Sequence, residues 1–307
     1  MTSRIPDGSL PAESFVDFDY SWNALLRPGE ATEFFEPDPL PTIDIHAPTF
    51  RIATAWWLAE LSRLVYRQVA GSQSGDAADT RQQILAQAGL EESRFLDRRG
   101  TQCAMIVPNS TSLDSFGVVV FRGTSKAKDW RNNLDARFVA REFARVHRGF
   151  QLALDAVQDD LRDAIRHIDG PLFFTGHSLG GAVATLAATR HAPHAVYTFG
   201  SPRVGDADLV GSFETTSVYR VVNGADLVTR VPPAIGANGF RHVGELHYLA
   251  RDGRHLVDPP RRDVAADRAN SPNRWEHRRW NQPPLFLADH APVNYVAHLQ
   301  KQLDVTG

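Results

Sequence analysis

The sequence predicts an α/β fold, a central and mostly parallel sheet with helices on both faces. Three observations predict it. Short apolar runs rich in Val and Phe alternate with helical patterns from about residue 102 onward. Those runs are apolar throughout rather than every second residue, as strands covered on both faces should be. The connections between them are short and carry Gly, Pro, Asn or Asp.

Taken in order, residues 1–50 are rich in Pro, acid and aromatic residues, including Phe15, Phe18, Tyr20 and Trp22. They read as an irregular arm pinned by its aromatics onto a single α/β domain spanning 51–307. Residues 53–68 carry apolar positions at helical spacing, 71–79 form a Gly/Ser/Asp loop, and TRQQILAQAG is a short helix. QCAMIVP and FGVVVFRG are strands, and 150–168 is an amphipathic helix. The strand PLFFTG, the helix LGGAVATLAATRH and the strands AVYTFGSP and SVYRVVNG follow. HYLARDGRHLV reads as a hairpin with Asp-Gly at its turn. An irregular, Pro/Arg/Trp-rich stretch near 258–285 precedes a closing helix, APVNYVAHLQKQL.

Composition narrows the function classes. The 307 residues are 42% hydrophobic and 22% charged, with a formal net charge of −3. A nucleic-acid binder would carry a strongly positive field. The single cysteine, Cys103, allows no internal disulfide and lies in an apolar run, so it reads as a small buried hydrophobe. No secretory signal and no stretch of membrane-spanning length is visible. The sequence therefore reads as cytoplasmic or peripheral, without a transmembrane segment and without a nucleic-acid partner.

The chemistry concentrates at one turn. Gly176, His177, Ser178, Leu179 and Gly180 write G-x-S-x-G between a strand and a helix, the setting that gives the motif meaning. Such a turn strains the serine backbone, and side chains at the flanking positions would collide with strand and helix. Glycines remove the collision. The hydroxyl is left at the carboxyl end of the sheet, with the positive end of the following helix aimed at it. This predicts an α/β-hydrolase fold with Ser178 as nucleophile.

A serine hydroxyl needs a base, and in this fold the chain order is Ser, then Asp or Glu, then His. His290, in the turn LADHAP before the last helix, is the favoured base, and His242 in GFRHVG is second. Pro292 suits the first turn of the closing helix. Two aspartates follow strands at the right edge. Asp226 in NGAD is placed better, because the later strand brings its loop nearer the final histidine. Asp206 in SPRVGD remains a candidate, unless it holds its own loop or caps the next helix.

These residues sit among longer matching pieces: VVVFRGT at 118–124, DWRNNL at 129–134, VHRGF at 146–150, and TGHSLGGAVATLAA at 175–188. TFGSPRVGD at 198–206, VVNGADLVTRVPP at 221–233 and DHAPVNY at 289–295 complete the set. In that order they resemble the class 3, fungal-type triacylglycerol lipases over roughly residues 100–303. The resemblance implies Ser178, Asp226 and His290 as a catalytic triad. It implies oxyanion donors at Thr124 and Leu179, an ester or lipid substrate, and no metal or organic cofactor.

The sequence departs from that family in several respects. The lid-like segment near 125–140 is strongly charged, with Trp130 as the only large apolar residue before Leu134, whereas a lid opening on lipid needs an apolar face. The family's secretion signal and disulfides have no counterpart here. The 258–285 insertion, with Trp275 and Trp280, reads as a flap, a transient contact with anionic head groups, or a solvated loop. Acylglycerols, soluble short-chain or aryl esters, and phospholipids all stay open as substrates. A non-catalytic lipid-binding relative would be expected to lack triad members, and the candidates are all present.

Overall fold

The computed structural model describes residues 18–67, 80–109, 115–123, 137–236, 239–269 and 282–306. Thr124, Trp130 and most of the lid-like segment lie outside the described residues, as do Trp275, Trp280 and the 71–79 loop.

An eight-stranded sheet organises the chain. Its strands are β1 (Leu90–Arg98), β2 (Thr101–Pro108), β3 (Gly117–Phe121), β6 (Leu172–His177), β7 (Ala195–Phe199), β8 (Ser217–Asn223), β9 (Glu245–Leu249) and β10 (His255–Val257), in that spatial order. Strands β3, β6, β7, β8 and β9 run parallel. Antiparallel partners close both edges. A small ribbon, β4 (Phe138–Ala140) with β5 (Arg145–His147), stands apart.

The apolar runs divide by pleat between two cores. Val118, Val120, Phe173, Tyr197 and Phe199 face one side, packed under helix α2 (Ile52–Leu64) and the closing helix α9 (Pro292–Thr306). Val119, Phe121, Phe174 and Val196 face the other, under α4 (Arg148–Ile165) and α5 (Leu179–His191). Helix α4 buries Phe150, Leu154, Val157, Leu161 and Ala164, a stripe repeating every three or four residues. Helix α5 is apolar all round and is buried from Gly180 to Ala188. Cys103 is buried in this second core, and burial pushes its thiol up to about 12, so no thiolate forms there.

From Phe18 on, the described part of the arm is irregular apart from a one-turn helix, α1 (Trp22–Leu26), and the 3-10 turn Pro28–Glu30. Phe35 lies against Trp56 and Trp57, and Trp57 donates its indole N–H to Pro41 O at 2.7 Å. Phe50 stacks on His247 at 3.5 Å between ring centres. Trp22 remains exposed.

Two elements differ from the sequence expectation. Strand β1, LEESRFLDR, carries too many charges to read as a strand, yet it pairs with β2 through a two-residue turn. Arg99 and Gly100 both take positive φ there, as a twist-matched hairpin turn requires. As an edge strand it can hold charges that a central one could not. The stretch near 258–285 is not wholly irregular, since Arg261–Ala269 is a helix (α7). Only Val264 of that helix is buried, against Val222, Tyr248 and Ala250, so no apolar period announced it. Among the described residues no helix is long and apolar enough to cross a membrane.

Leu161 is fully buried between α4 and the sheet. Replacing it with Ala should lower unfolding free energy by about 2–5 kcal/mol in a urea titration, with little change in the slope of the transition.

Candidate active site

Strand β6 ends at His177, and Ser178 turns the chain into α5. Ser178 holds φ 59° and ψ −127°, a strained conformation for a residue with a side chain. Its N–H donates to Phe199 O at 2.9 Å, tying the turn to β7. Serine at a helix N-cap ordinarily accepts a first-turn backbone N–H on its hydroxyl oxygen. Here it makes no such bond.

The flanking glycines answer to backbone atoms. A Cβ on Gly176 would lie 2.4 Å from Gly180 C, and one on Gly180 would lie 2.0 Å from Phe121 O. A Cβ on Gly181 would lie 2.9 Å from Gly176 O. Strand, turn and helix therefore approach to a distance that side chains would forbid. Leu179 is the first residue of α5, so its N–H is among those without an intrahelical partner.

Asp226 follows β8 through the turn Asn223–Ala225 and is wholly buried. Its Oδ1 accepts the Val228 N–H at 2.8 Å. Its Oδ2 accepts the Tyr295 hydroxyl at 2.6 Å and lies 2.8 Å from His290 Nδ1. A carboxylate can only accept, so Nδ1 carries a proton and Nε2 is the ring nitrogen left to take one. Gly200, φ 62°, passes so close that a Cβ would sit 2.8 Å from Asp226 Oδ2 and 3.0 Å from His290 Nδ1. The residue before it, Phe199, is the one that receives the Ser178 N–H. Phe199–Gly200 thus touches the serine turn on one side and the imidazole–carboxylate pair on the other, at the carboxyl ends of the parallel strands, where open α/β sheets bind ligands.

The turn bearing His290 is held from both flanks. It lies between α8 (Leu285–Ala288) and α9. Asp289 accepts the Ala225 N–H at 2.8 Å and Arg251 at 2.7 Å, while Asn223 donates to Asp289 O at 3.1 Å. Asn294 donates to Ala288 O at 2.8 Å and exchanges bonds with Asp19 of the arm. Burial pushes the Asp289 carboxyl up to about 6 despite Arg251.

The second-choice residues lie elsewhere. Asp206 caps helix α6 (Ala207–Gly211) through the Leu209 N–H at 3.2 Å and pairs with Arg145 at 2.9 Å. Burial raises its carboxyl, but those hydrogen bonds outweigh burial and hold it below the usual range. His242 donates from Nε2 to Thr229 O at 2.8 Å, and burial keeps it neutral. Thr124 lies outside the described residues, one position beyond Gly123. Among the described residues no cluster of three or more His, Cys, Asp or Glu could hold a metal ion. Tyr295, Asp289, Asn223 and Tyr66 escaped sequence reasoning. Tyr295 closes the quoted piece DHAPVNY, and its spacing of five from His290 was the available signal.

The raised Asp289 carboxyl fixes the sign of a pH effect. A carboxyl that titrates higher folded than unfolded lends stability below about pH 4, and loses it as pH rises through about 6. Thermal melts from pH 4 to 7 should show the parent declining relative to Asp289→Asn, whose neutral amide removes that decline.

The family model for class 3 lipases matches residues 118–236, a span that holds Ser178 and Asp226 but not His290. The secreted mono- and diacylglycerol lipase 1 of Fusarium solani is 36% identical over 147 residues, 43% of each chain. The lipase of Rhizomucor miehei is 31% identical over 175 residues, 50% of this chain and 47% of that one. Phospholipase A1-II 1 of Oryza sativa subsp. indica is 29% identical over 182 residues, 46% of each. This chain spans about half the length of the curated relatives it matches. Among solved structures, the lipase of Rhizopus microsporus var. chinensis superposes with a TM-score of 0.54 over 72% of this chain and 83% of that one. Its 23% identity makes the likeness one of fold. Over residues 118–236 the chain is thus similar to the class 3 lipases, and its fold is that of the α/β-hydrolases.

Proposed function

We propose that this chain is a serine hydrolase of carboxylic esters, acting on acylglycerol or related lipid esters through an acyl-enzyme. One observation carries the reading. The Ser178 hydroxyl caps nothing, and its N–H is bonded to Phe199, whose neighbour Gly200 lies against a fully buried His290–Asp226 pair.

In this mechanism His290 takes the Ser178 proton on Nε2 while Oγ attacks the ester carbonyl carbon. Asp226 holds the ring in the required tautomer and stabilises the imidazolium that forms. The carbonyl oxygen becomes an oxyanion, received by backbone N–H groups at Leu179 and Thr124. The C–O bond to the alcohol breaks, and His290 returns the proton to the departing oxygen. Water, deprotonated by the same imidazole, then attacks the acyl carbon and frees the serine. Each step is acid–base or nucleophilic chemistry that these side chains supply.

The rice phospholipase among the relatives and the charge in the 125–140 segment favour a second substrate reading, polar or phospholipid esters. A chain-length series of p-nitrophenyl esters, run below and above the solubility limit, separates the two. A jump in rate when droplets form supports an acylglycerol lipase, and a rate indifferent to droplets supports the polar-ester reading.

With p-nitrophenyl butyrate, Ser178→Ala should lower kcat by roughly 10⁴-fold or more. Parental turnover in that variant refutes the assignment. Asp226→Asn, which reverses the tautomer held by the carboxylate, should lower kcat by about 10⁴-fold while KM changes little.

A further inference from the structure

Behind the serine turn runs a second buried polar line that the proposed chemistry does not use. It begins on α2. Ser62 lies in the last turn of α2 and Tyr66 in the turn just past its end. Thr175 and His177 are two apart on β6 and so share one strand face. The pairs meet: Ser62 Oγ lies 3.1 Å from Thr175 Oγ1, and Tyr66 Oη lies 3.0 Å from His177 Nδ1.

The proton positions along this line follow from its acceptors. His177 Nε2 lies 2.7 Å from the backbone carbonyl of His290, which can only accept. The proton is therefore on Nε2, Nδ1 accepts, and the Tyr66 hydroxyl donates to it. Burial keeps His177 well below the ordinary imidazole range, and the nearby His290 ring lowers it further, so the ring is neutral. The Tyr66 oxygen also lies against the backbone of Gly123. A Cβ on Gly123 would lie 2.0 Å from that oxygen and 2.6 Å from His177 O, so the hydroxyl fills the space a glycine leaves. Tyr66 and His177 are both buried, and the His177 and His290 rings are 4.4 Å apart between centres.

We propose that Tyr66 and His177 are positioning residues, which through these hydrogen bonds and the close packing of the phenol oxygen on Gly123 set three separate segments in register. The segments are the stretch after β3 at Gly123, the serine turn, and the turn that carries His290. Each abuts a group to which the ester-hydrolase reading gives a role, namely Thr124, Ser178 and the His290 imidazole, and the inference rests on that reading. Without the phenol oxygen, His177 Nδ1 loses its donor in a dry interior and the space beside Gly123 is left unfilled. The His177 ring is then free to turn, and the His290 carbonyl loses the anchor that fixes its imidazole. A displacement of an ångström or less at the reacting groups costs far more in turnover than in substrate affinity.

The test compares Tyr66→Phe with the parent on p-nitrophenyl butyrate, alongside thermal melts. The inference expects kcat to fall by about 10- to 100-fold with KM within about twofold and the fold retained. A purely structural role would instead lower the melting temperature and leave kcat of the folded fraction within about twofold, which overturns the inference. A second pair guards against misfolding of the first variant. His177→Gln keeps both a donor and an acceptor and should hold kcat within about tenfold, whereas His177→Leu should lose at least as much as Tyr66→Phe. Equal kcat in the Gln and Leu variants also overturns it. A parent without esterase activity, or a Ser178→Ala variant that keeps it, would refute the ester-hydrolase reading rather than this inference.

Discussion

A carboxylate withdrawn entirely from water must have its charge answered by fixed donors, and Asp226 is that carboxylate. Its donors come from three directions: the Val228 backbone, the Tyr295 phenol and the His290 ring. Each donor belongs to a different part of the fold. Val228 follows on the same loop, Tyr295 projects from the closing helix, and His290 sits in the turn before it. The need to satisfy one buried charge thus docks the closing helix against the parallel sheet and sets the tautomer of the imidazole. Burial that is costly in isolation becomes the means by which distant segments are held together.

The serine side of the site rests on a steric constraint instead. Gly176 and Gly180 leave no room for a Cβ against each other or against Phe121 O, so α5 starts closer to the sheet than side chains would permit. That closeness forces the left-handed turn at Ser178 and withholds its hydroxyl from capping. The strain is local, and the apolar body of α5, buried on all sides, holds it in place. A polar anchor at Asp226 and a steric one at the glycines are thereby delivered to the same edge of one sheet by β6, β7 and β8.

Much of this was legible in the residues. The central strands were, because burial on both faces writes them as unbroken apolar runs. The elbow was, because the glycines are a steric necessity with a fixed spacing. The choice of Asp226 over Asp206 followed from strand order, and the structure gives Asp206 a capping bond and an arginine partner instead. Strand β1 was hidden because an edge strand carries charge, and α7 because a single buried valine leaves no period. The supporting hydrogen bonds of Tyr66, Asn223, Asp289 and Tyr295 join residues 64 to 111 positions apart. Only the folded register of helices against strands brings those partners within reach, and no local pattern encodes it.

The central claim is that His290, oriented by Asp226, activates the hydroxyl at 178. The most direct measurement is phosphonylation by a fluorophosphonate, mapped by peptide mass spectrometry, for the parent and for His290→Ala. The account predicts an adduct on Ser178 in the parent, formed at least about 10³-fold more slowly in the variant. An adduct on another residue, or labelling of Ser178 at the same rate without the imidazole, would contradict it.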